Sequence, residues 1–298
     1  MINEISLAKI LDSEISDSGT SNSVIQKSDN FVLLPFYFEG KPLAGKNFPR
    51  WGMTLLSAGT MRFRWNEKNE KRTKVFGEIL KNQNPQNKKI VPIELIHSKI
   101  VVEAKNQDDT KGLRADGIIT KNRELVPAVT VADCVPIFLY DTISGAFGVL
   151  HSGWKGTGIA EAGVKKMAEL YGSKPEDICA AIGPHIQECC YSIDKERAKY
   201  FAENFGKSCI FKTSAPENEL SYALSLTQAN IFVLKNAGIR EENIVSAKDC
   251  TCCAKYSDKK NIFGSFRRQA VSLPQENLKK LEKDELSRRM TVQAAFII

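Results

Sequence analysis

The stretch from Val126 to Gly158, VPAVTVADCVPIFLYDTISGAFGVLHSGWKGTG, limits the possible folds of this chain more than any other. Two apolar, β-branched runs flank Cys134: Val129–Ala132 before it and Val135–Tyr140 after it. A third, Ala146–Leu150, leads straight into His151 and a glycine-rich corner, Ser152–Gly158. Short apolar runs bounded by Asp-Thr and Ser-Gly turn signals read as buried strands joined by a tight turn. Cys134 and His151 lie 17 positions apart (151 − 134). An antiparallel hairpin of that length brings both side chains to one end of a sheet. A thiolate and an imidazole meeting there make either a soft-metal site or a nucleophile–base pair.

The rest of the chain sets the context for that pair. With 298 residues, 42% hydrophobic and 26% charged, there is apolar material for a sizeable core. The net charge of +7 is spread, with Lys and Arg interleaved among Asp and Glu. That pattern fits a soluble protein with an anionic small-molecule substrate, and no nucleic-acid partner is expected. There is no basic segment followed by an apolar one at the N-terminus, and no apolar run approaches the roughly 18–20 residues of a membrane span. A cytoplasmic protein without a membrane partner, monomeric or homodimeric, is therefore expected. Its eight cysteines are then expected as reduced thiols rather than a disulfide framework.

Read in order, residues 1–28 are rich in Ser, Asp and Asn and predict a loosely packed, flexible N-terminus, followed by one domain over 29–298. Strands are expected at Phe31–Phe38, Met53–Ala58, Met61–Trp65, Ile90–Ile96 and Ile100–Ala104, with a helix at Val75–Leu80. After the central stretch, Ile159, Val164, Met167 and Leu170 recur at helical spacing with Thr157 as N-cap. Ile178–Ile182, Ile244–Ala247, Ile262–Phe266 and Thr291–Ile298 read as strands. Asp194–Phe205, Tyr222–Ala237 and the charged Pro274–Leu286 read as helices. Strands and helices mix without a strict βαβ rhythm, which predicts the α+β class.

Chemistry-bearing residues are few. His97, His151 and His185 are the only histidines. His97 and His151 with Cys134 offer two imidazoles and a thiolate, enough for a tetrahedral zinc that keeps one position open. The alternative is a buried core thiol beside ordinary turn histidines. Gly153-Trp154-Lys155-Gly156-Thr157-Gly158 opens a helix, where free N–H groups and Lys155 attract phosphate or carboxylate; a plain turn reads equally well. It lacks the glycine spacing of a Walker loop. Cys250-Thr251-Cys252-Cys253 with Cys189-Cys190 could form a second thiolate site, against incidental thiols, and no second knuckle pair completes it. Arg267-Arg268 is either an anion clamp or a solvated strand end.

Taken together, Ala115-Asp116-Gly117, Val131-Ala132-Asp133-Cys134-Val135-Pro136-Ile137, His151-Ser152-Gly153-Trp154-Lys155-Gly156, Ile182-Gly183-Pro184 with Cys190-Tyr191, and Phe266-Arg267-Arg268 resemble, in order, the YfiH family. That family is also called the laccase-domain or multicopper polyphenol oxidase family. The resemblance covers roughly residues 90–298. It implies a mixed α/β/β/α sandwich, similar to the catalytic domain of cytotoxic necrotizing factors. It implies a zinc held by His97, Cys134 and His151, with copper the alternative in older descriptions. It also implies phosphorolysis of purine nucleosides (adenosine, inosine, guanosine, methylthioadenosine) and adenosine deamination. Cys134, His151 and Lys155 are the catalytic candidates, and Lys155, Arg267 and Asp133 the substrate and phosphate ligands, with Asp133 orienting the sugar. His185 is a candidate to help the purine leave. Other readings are a copper laccase, for which three histidines are few, and a non-catalytic zinc protein of peptidoglycan editing. This chain carries Leu95-Ile96-His97 where the family usually has Gln-Val-His, and Lys155 where Arg is usual.

Overall fold

The computed structural model describes residues 1–13, 25–45, 47–81, 83, 87–213, 222–271 and 288–298. Two mixed sheets dominate it. The first has seven strands in the order Asn3–Ile5, Ile244–Ala247, Ile178–Ile182, Val135–Asp141, Phe147–Ser152, Gly117–Thr120 and Val101–Glu103. The second has six: Gln26–Lys27, Phe31–Pro35, Arg50–Thr54, Gln293–Ile297, Leu125–Val131 and Lys89–Pro92.

The near-continuous apolar runs are explained by burial on both faces of each sheet. Side chains alternate along a strand, and here each alternate set enters a different core. Val32, Leu34, Val129, Val131, Phe138, Tyr140, Val149, Ala295 and Ile297 pack between the sheets. Phe31, Leu33, Val126, Ala128, Ala294 and Phe296 point the other way, onto the helix Glu70–Leu80 through Val75, Phe76 and Ile79. Val135, Ile137, Leu139 and Leu150 face the helices Ile159–Tyr171, Lys195–Phe205 and Leu226–Asn236. The layers are thus helix, sheet, sheet, helix, the α+β sandwich that the resemblance implies. Trp51 and Phe138 meet across the central layer with ring centroids 5.2 Å apart. The buried Trp51 indole satisfies its N–H on the Pro35 carbonyl at 2.8 Å. Truncating either ring to alanine would cost about 3–5 kcal/mol.

Several elements depart from the sequence reading. The central hairpin itself is the expected one, Val135–Asp141 against Phe147–Ser152, with Pro136 opposite His151. The earlier run, Leu125–Val131, lies in the other sheet, paired to Gln293–Ile297. Ala132–Cys134 is therefore the corner at which the chain changes sheets, and Asp133 takes φ +77° there. Within the stretch 1–28, Asn3–Ile5 adds a parallel strand beside Ile244–Ala247 and Leu7 is fully buried, while 14–24 lie outside the described residues. Asp249 fastens the following helix, accepting from the Leu7 and Ala8 N–H groups at 2.5 and 3.0 Å. Met53–Ala58 divides into strand Arg50–Thr54 and a 3₁₀ turn Leu56–Ala58, and 61–65 forms no strand. Tyr222–Ala237 divides too, because Ser225 caps a helix beginning at Leu226 through the Gln228 N–H. Phe266–Val271 is helix, not strand end. Thr157 does not cap: its hydroxyl donates to the Gly153 carbonyl at 3.2 Å, and Gly158, at φ +107°, takes the cap position. Pro274–Leu286 lies outside the described residues.

Candidate metal centre and anion patch

His97, Cys134 and His151 arrive from three different places and meet. Their ligand atoms all lie within 4.8 Å of one another. Cys134 sits in the corner between the sheets. His151 ends the hairpin strand Phe147–Ser152, and its register opposite Pro136 brings it beside Cys134. His97 comes from the loop before strand Val101–Glu103 and holds φ +60°, an uncommon backbone for a non-glycine residue. The two imidazole rings stand edge to face, 4.9 Å apart at 89°.

Asp116 explains both the strained loop and the ring orientation. It is fully buried. Its carboxylate accepts from the N–H groups of His97 at 2.9 Å and Ser98 at 2.6 Å, and from the Ser98 hydroxyl at 2.7 Å. It also stands 2.9 Å from His151 Nδ1. Burial alone would raise the Asp116 carboxyl; the His151 and Ser98 hydrogen bonds outweigh it and hold it below the usual carboxylate range. With Nδ1 so engaged, Nε2 of His151 is left for a ligand, the carboxylate–histidine arrangement that orients metal-binding imidazoles. Burial likewise opposes ionisation of Cys134. The His151 charge and hydrogen bonds from both histidines override that and bring its thiol down to about 6. Burial opposes a charge on His151 too, but the Cys134 thiolate and Asp116 lift it to about 9. In the sequence Asp116 stands only as part of the Ala115-Asp116-Gly117 segment of the resemblance, with no role of its own. Its place in an Ala-Asp-Gly segment just before a strand was the available signal.

Gly153 lies against all three candidate ligand side chains. A Cβ there would stand 3.2 Å from Cys134 Sγ and 3.3 Å from His97 Cδ2. The donor set, two imidazoles and a depressed thiol, suits zinc or copper, so the residues present fit a bound metal ion.

Beside this centre lies a patch of cations and rings. Lys155 Nζ is 5.3 Å from the Trp154 ring centroid, and the Arg197 guanidinium 4.4 Å from the same ring. The Arg267 guanidinium lies 5.5 Å from the Tyr191 ring. Tyr191 is within electrostatic reach of Cys134, Arg197 and Arg267 together. Arg197 was not singled out from the sequence, since it stands in a charged helix, Lys195–Phe205, with no motif around it.

Three expected roles change. Asp133 is buried, and both carboxylate oxygens are taken. Oδ1 accepts from Thr251 Oγ1 at 2.6 Å, and Oδ2 from Ser265 Oγ at 3.0 Å and the Arg267 N–H at 2.6 Å. It ties three segments at the corner rather than facing a sugar. Arg268 spends its guanidinium on the carbonyls of Thr251 at 2.9 Å, Cys252 at 2.6 Å and Phe263. His185 is fully buried, with Nδ1 2.8 Å from the Gly183 carbonyl and Nε2 3.0 Å from the Thr227 hydroxyl. Neither nitrogen is free to reach a purine.

A two-sheet sandwich with two histidines and a cysteine converging at a sheet-changing corner defines a class of mixed α/β protein with a built metal-ligand triad. The chain belongs to the family described as multi-copper polyphenol oxidoreductase laccase, which it matches over residues 63–272. It is 33% identical over 182 residues to the purine nucleoside phosphorylase YlmD of Bacillus subtilis, covering 58% of this chain and 63% of that one. It is 36% identical over 144 residues to the mouse purine nucleoside phosphorylase LACC1, covering 46% of this chain and 32% of that one. The adenosine deaminase RL5 of an unknown prokaryotic organism is 33% identical over 160 residues, 53% of this chain and 58% of that one. The chain thus spans from 32% to 63% of the length of these relatives. In fold it is similar to the Bacillus licheniformis hypothetical protein YfiH, at TM-score 0.71 and 24% identity over 92% of this chain and 98% of that one. Among the described residues, no helix is long and apolar enough to cross a membrane.

Proposed function

We propose that this chain is a zinc-dependent purine nucleoside phosphorylase that also deaminates adenosine. The observation that carries the reading is the convergence of the His97, Cys134 and His151 ligand atoms within 4.8 Å. The cation and ring patch beside them and the activities in the relatives' names support it. A zinc held by those three residues would supply a Lewis acid that polarises bound substrate. Asp116 keeps His151 in the tautomer that ligates. Lys155, Arg197 and Arg267 offer charge to phosphate, and Trp154 and Tyr191 offer faces on which a purine stacks. In phosphorolysis a phosphate oxygen bonds to the ribose anomeric carbon as the bond to purine N9 breaks. The electron pair leaves with the purine, which takes up a proton. In deamination water adds at C6 and ammonia leaves. The compartment that goes with this chemistry and with eight unpaired cysteines is the cytoplasm.

The family description favours a second reading, a copper polyphenol oxidase. With three histidines in the whole chain, ligands for a multicopper cluster are too few. Product analysis separates the readings. Zinc-loaded protein given adenosine should release adenine and ribose 1-phosphate only when phosphate is present, and inosine without it. Oxidation of a phenol by copper-loaded protein, with no purine product from the zinc form, would favour the second. Neither activity would leave a non-catalytic zinc protein.

A further inference from the structure

We propose that Cys189, Cys190, Cys250 and Cys253 form a second metal site, a tetrathiolate centre for a soft divalent cation of the zinc class. It is separate from the His97–Cys134–His151 centre and stands whatever reaction that centre performs. The four sulfur atoms all lie within 4.8 Å of one another. Cys189 Sγ is 3.7 Å from Cys253 Sγ and 3.8 Å from Cys190 Sγ. A tetrahedral ion with metal–sulfur bonds near 2.3 Å separates its sulfurs by roughly 3.8 Å. These two spacings match those of a shared ion, and they are far longer than the roughly 2.05 Å of a disulfide.

The backbone around the cluster is arranged as a binding turn. Strands Ile178–Ile182 and Ile244–Ala247 are parallel neighbours, and the two cysteine-bearing loops leave their adjacent C-terminal ends. A further bridge pairs His185 with Cys250, and the Thr251 N–H donates to the His185 carbonyl at 3.0 Å. Cys250-X-X-Cys253 closes on itself. The Cys253 and Ala254 N–H groups reach the Cys250 carbonyl at 3.3 and 2.8 Å. The Gln187 N–H points at Cys250 Sγ at 3.4 Å, a donor placed to hold a thiolate. The Cys190 N–H bonds the Gln187 carbonyl at 3.0 Å, making a second turn that presents the vicinal pair. Cys250 is buried while Cys189 and Cys253 are exposed, so an ion has an entry path and a floor. Cys252, in the same turn, is not one of the four and supplies a control.

Such a centre would join the loop that carries Tyr191 to the loop that carries Thr251. Thr251 is a donor to Asp133 at the corner beside Cys134, so the ion would brace the first centre from behind. A thiolate clamp of this kind contributes directly to folding free energy.

The test is metal counting on full-length protein, isolated anaerobically with reductant and loaded with zinc alone or cobalt alone. Wild type should hold two ions per chain, and Cys134→Ala one. Cys189→Ser with Cys253→Ser, both at exposed positions that tolerate a hydroxyl, should also hold one, and the triple variant none. Cys252→Ser should keep two. In Cys134→Ala the remaining cobalt should show the intense sulfur-to-metal absorption of a four-thiolate site. The proposal is overturned if Cys134→Ala binds no ion, if the Cys189/Cys253 variant keeps two, or if the isolated protein carries a Cys189–Cys253 disulfide. Circular dichroism of each variant separates a lost ion from a lost fold.

Discussion

Asp116 Oδ1 stands 2.9 Å from His151 Nδ1, and the same carboxylate holds the His97 N–H at 2.9 Å. One buried acid thus sets the tautomer of one candidate ligand and the backbone of another. Asp116→Asn should keep some of the loop's hydrogen bonds while offering His151 the wrong partner. Loss of such an orienting group typically costs about 10–100-fold in metal affinity. Zinc competition against a chromophoric chelator measures it, and an unchanged affinity would remove Asp116 from the site.

Gly153 is the second lever. Its added Cβ would press on Cys134 Sγ at 3.2 Å and His97 Cδ2 at 3.3 Å, with His151 Cε1 next at 3.7 Å, so its nearest neighbours are the three candidate ligands. Gly153→Ala should therefore leave the circular dichroism spectrum and the melting temperature close to wild type. It should reduce zinc bound at this centre, read in protein whose Cys189 and Cys253 are Ser. Full zinc occupancy there would mean the ligands have more room beside Gly153 than the contacts imply.

Short, near-continuous apolar runs made most of the strands legible in the sequence, because the inner strands of both sheets are buried on both faces. What they hid was the sheet change at Ala132–Cys134. Two apolar runs separated by three residues give no sign of belonging to different sheets, and only the pairing of Leu125–Val131 with the distant Gln293–Ile297 reveals it. Cys134, His97 and His151 stood out because histidine is scarce and the Cys and His lie in recognisable motifs. Asp116 and Asp133 did not yield their roles, since a carboxylate's partners, here Ser98, Thr251 and Ser265, are tertiary. The N-terminal strand was missed for a related reason. Asn3–Ile5 is too short to show a period, and its pairing strand begins 241 residues later.

His185 makes acid stability predictable. It is fully buried, and burial lowers its imidazole to about 4, against the Gly183 carbonyl bond that raises it. An unfolded histidine titrates near 6.5. Between about 6.5 and 4 the unfolded chain takes a proton that the folded chain refuses, so stability falls as pH drops through that window. Above it the contribution is fully present; below about 4 the loss levels off at roughly 3 kcal/mol. His185→Gln removes the titration. Urea unfolding of metal-free protein at pH 7 and pH 4.5 should show a smaller pH-dependent loss in the variant. Equal losses in both proteins would place the acid sensitivity elsewhere.

The patch of cations and rings gives the prediction closest to function. Lys155 and Arg197 both approach the Trp154 ring. If phosphate binds there, a charge-assisted contact contributes about 1.5–3 kcal/mol, and an exposed lysine belongs at the low end. Lys155→Met should raise the KM for phosphate roughly tenfold, since about 1.4 kcal/mol is a factor of ten. The KM for adenosine should change far less. Lys155→Arg, which keeps the charge and adds a fork for two phosphate oxygens, should restore phosphate use. Initial rates across a phosphate series, at saturating adenosine and with zinc-loaded protein, separate the two constants. An equal rise in both would make Lys155 a general support of the loop. A normal phosphate KM in Lys155→Met would move the anion site toward Arg267 and Tyr191, where Arg267→Ala should then show the loss.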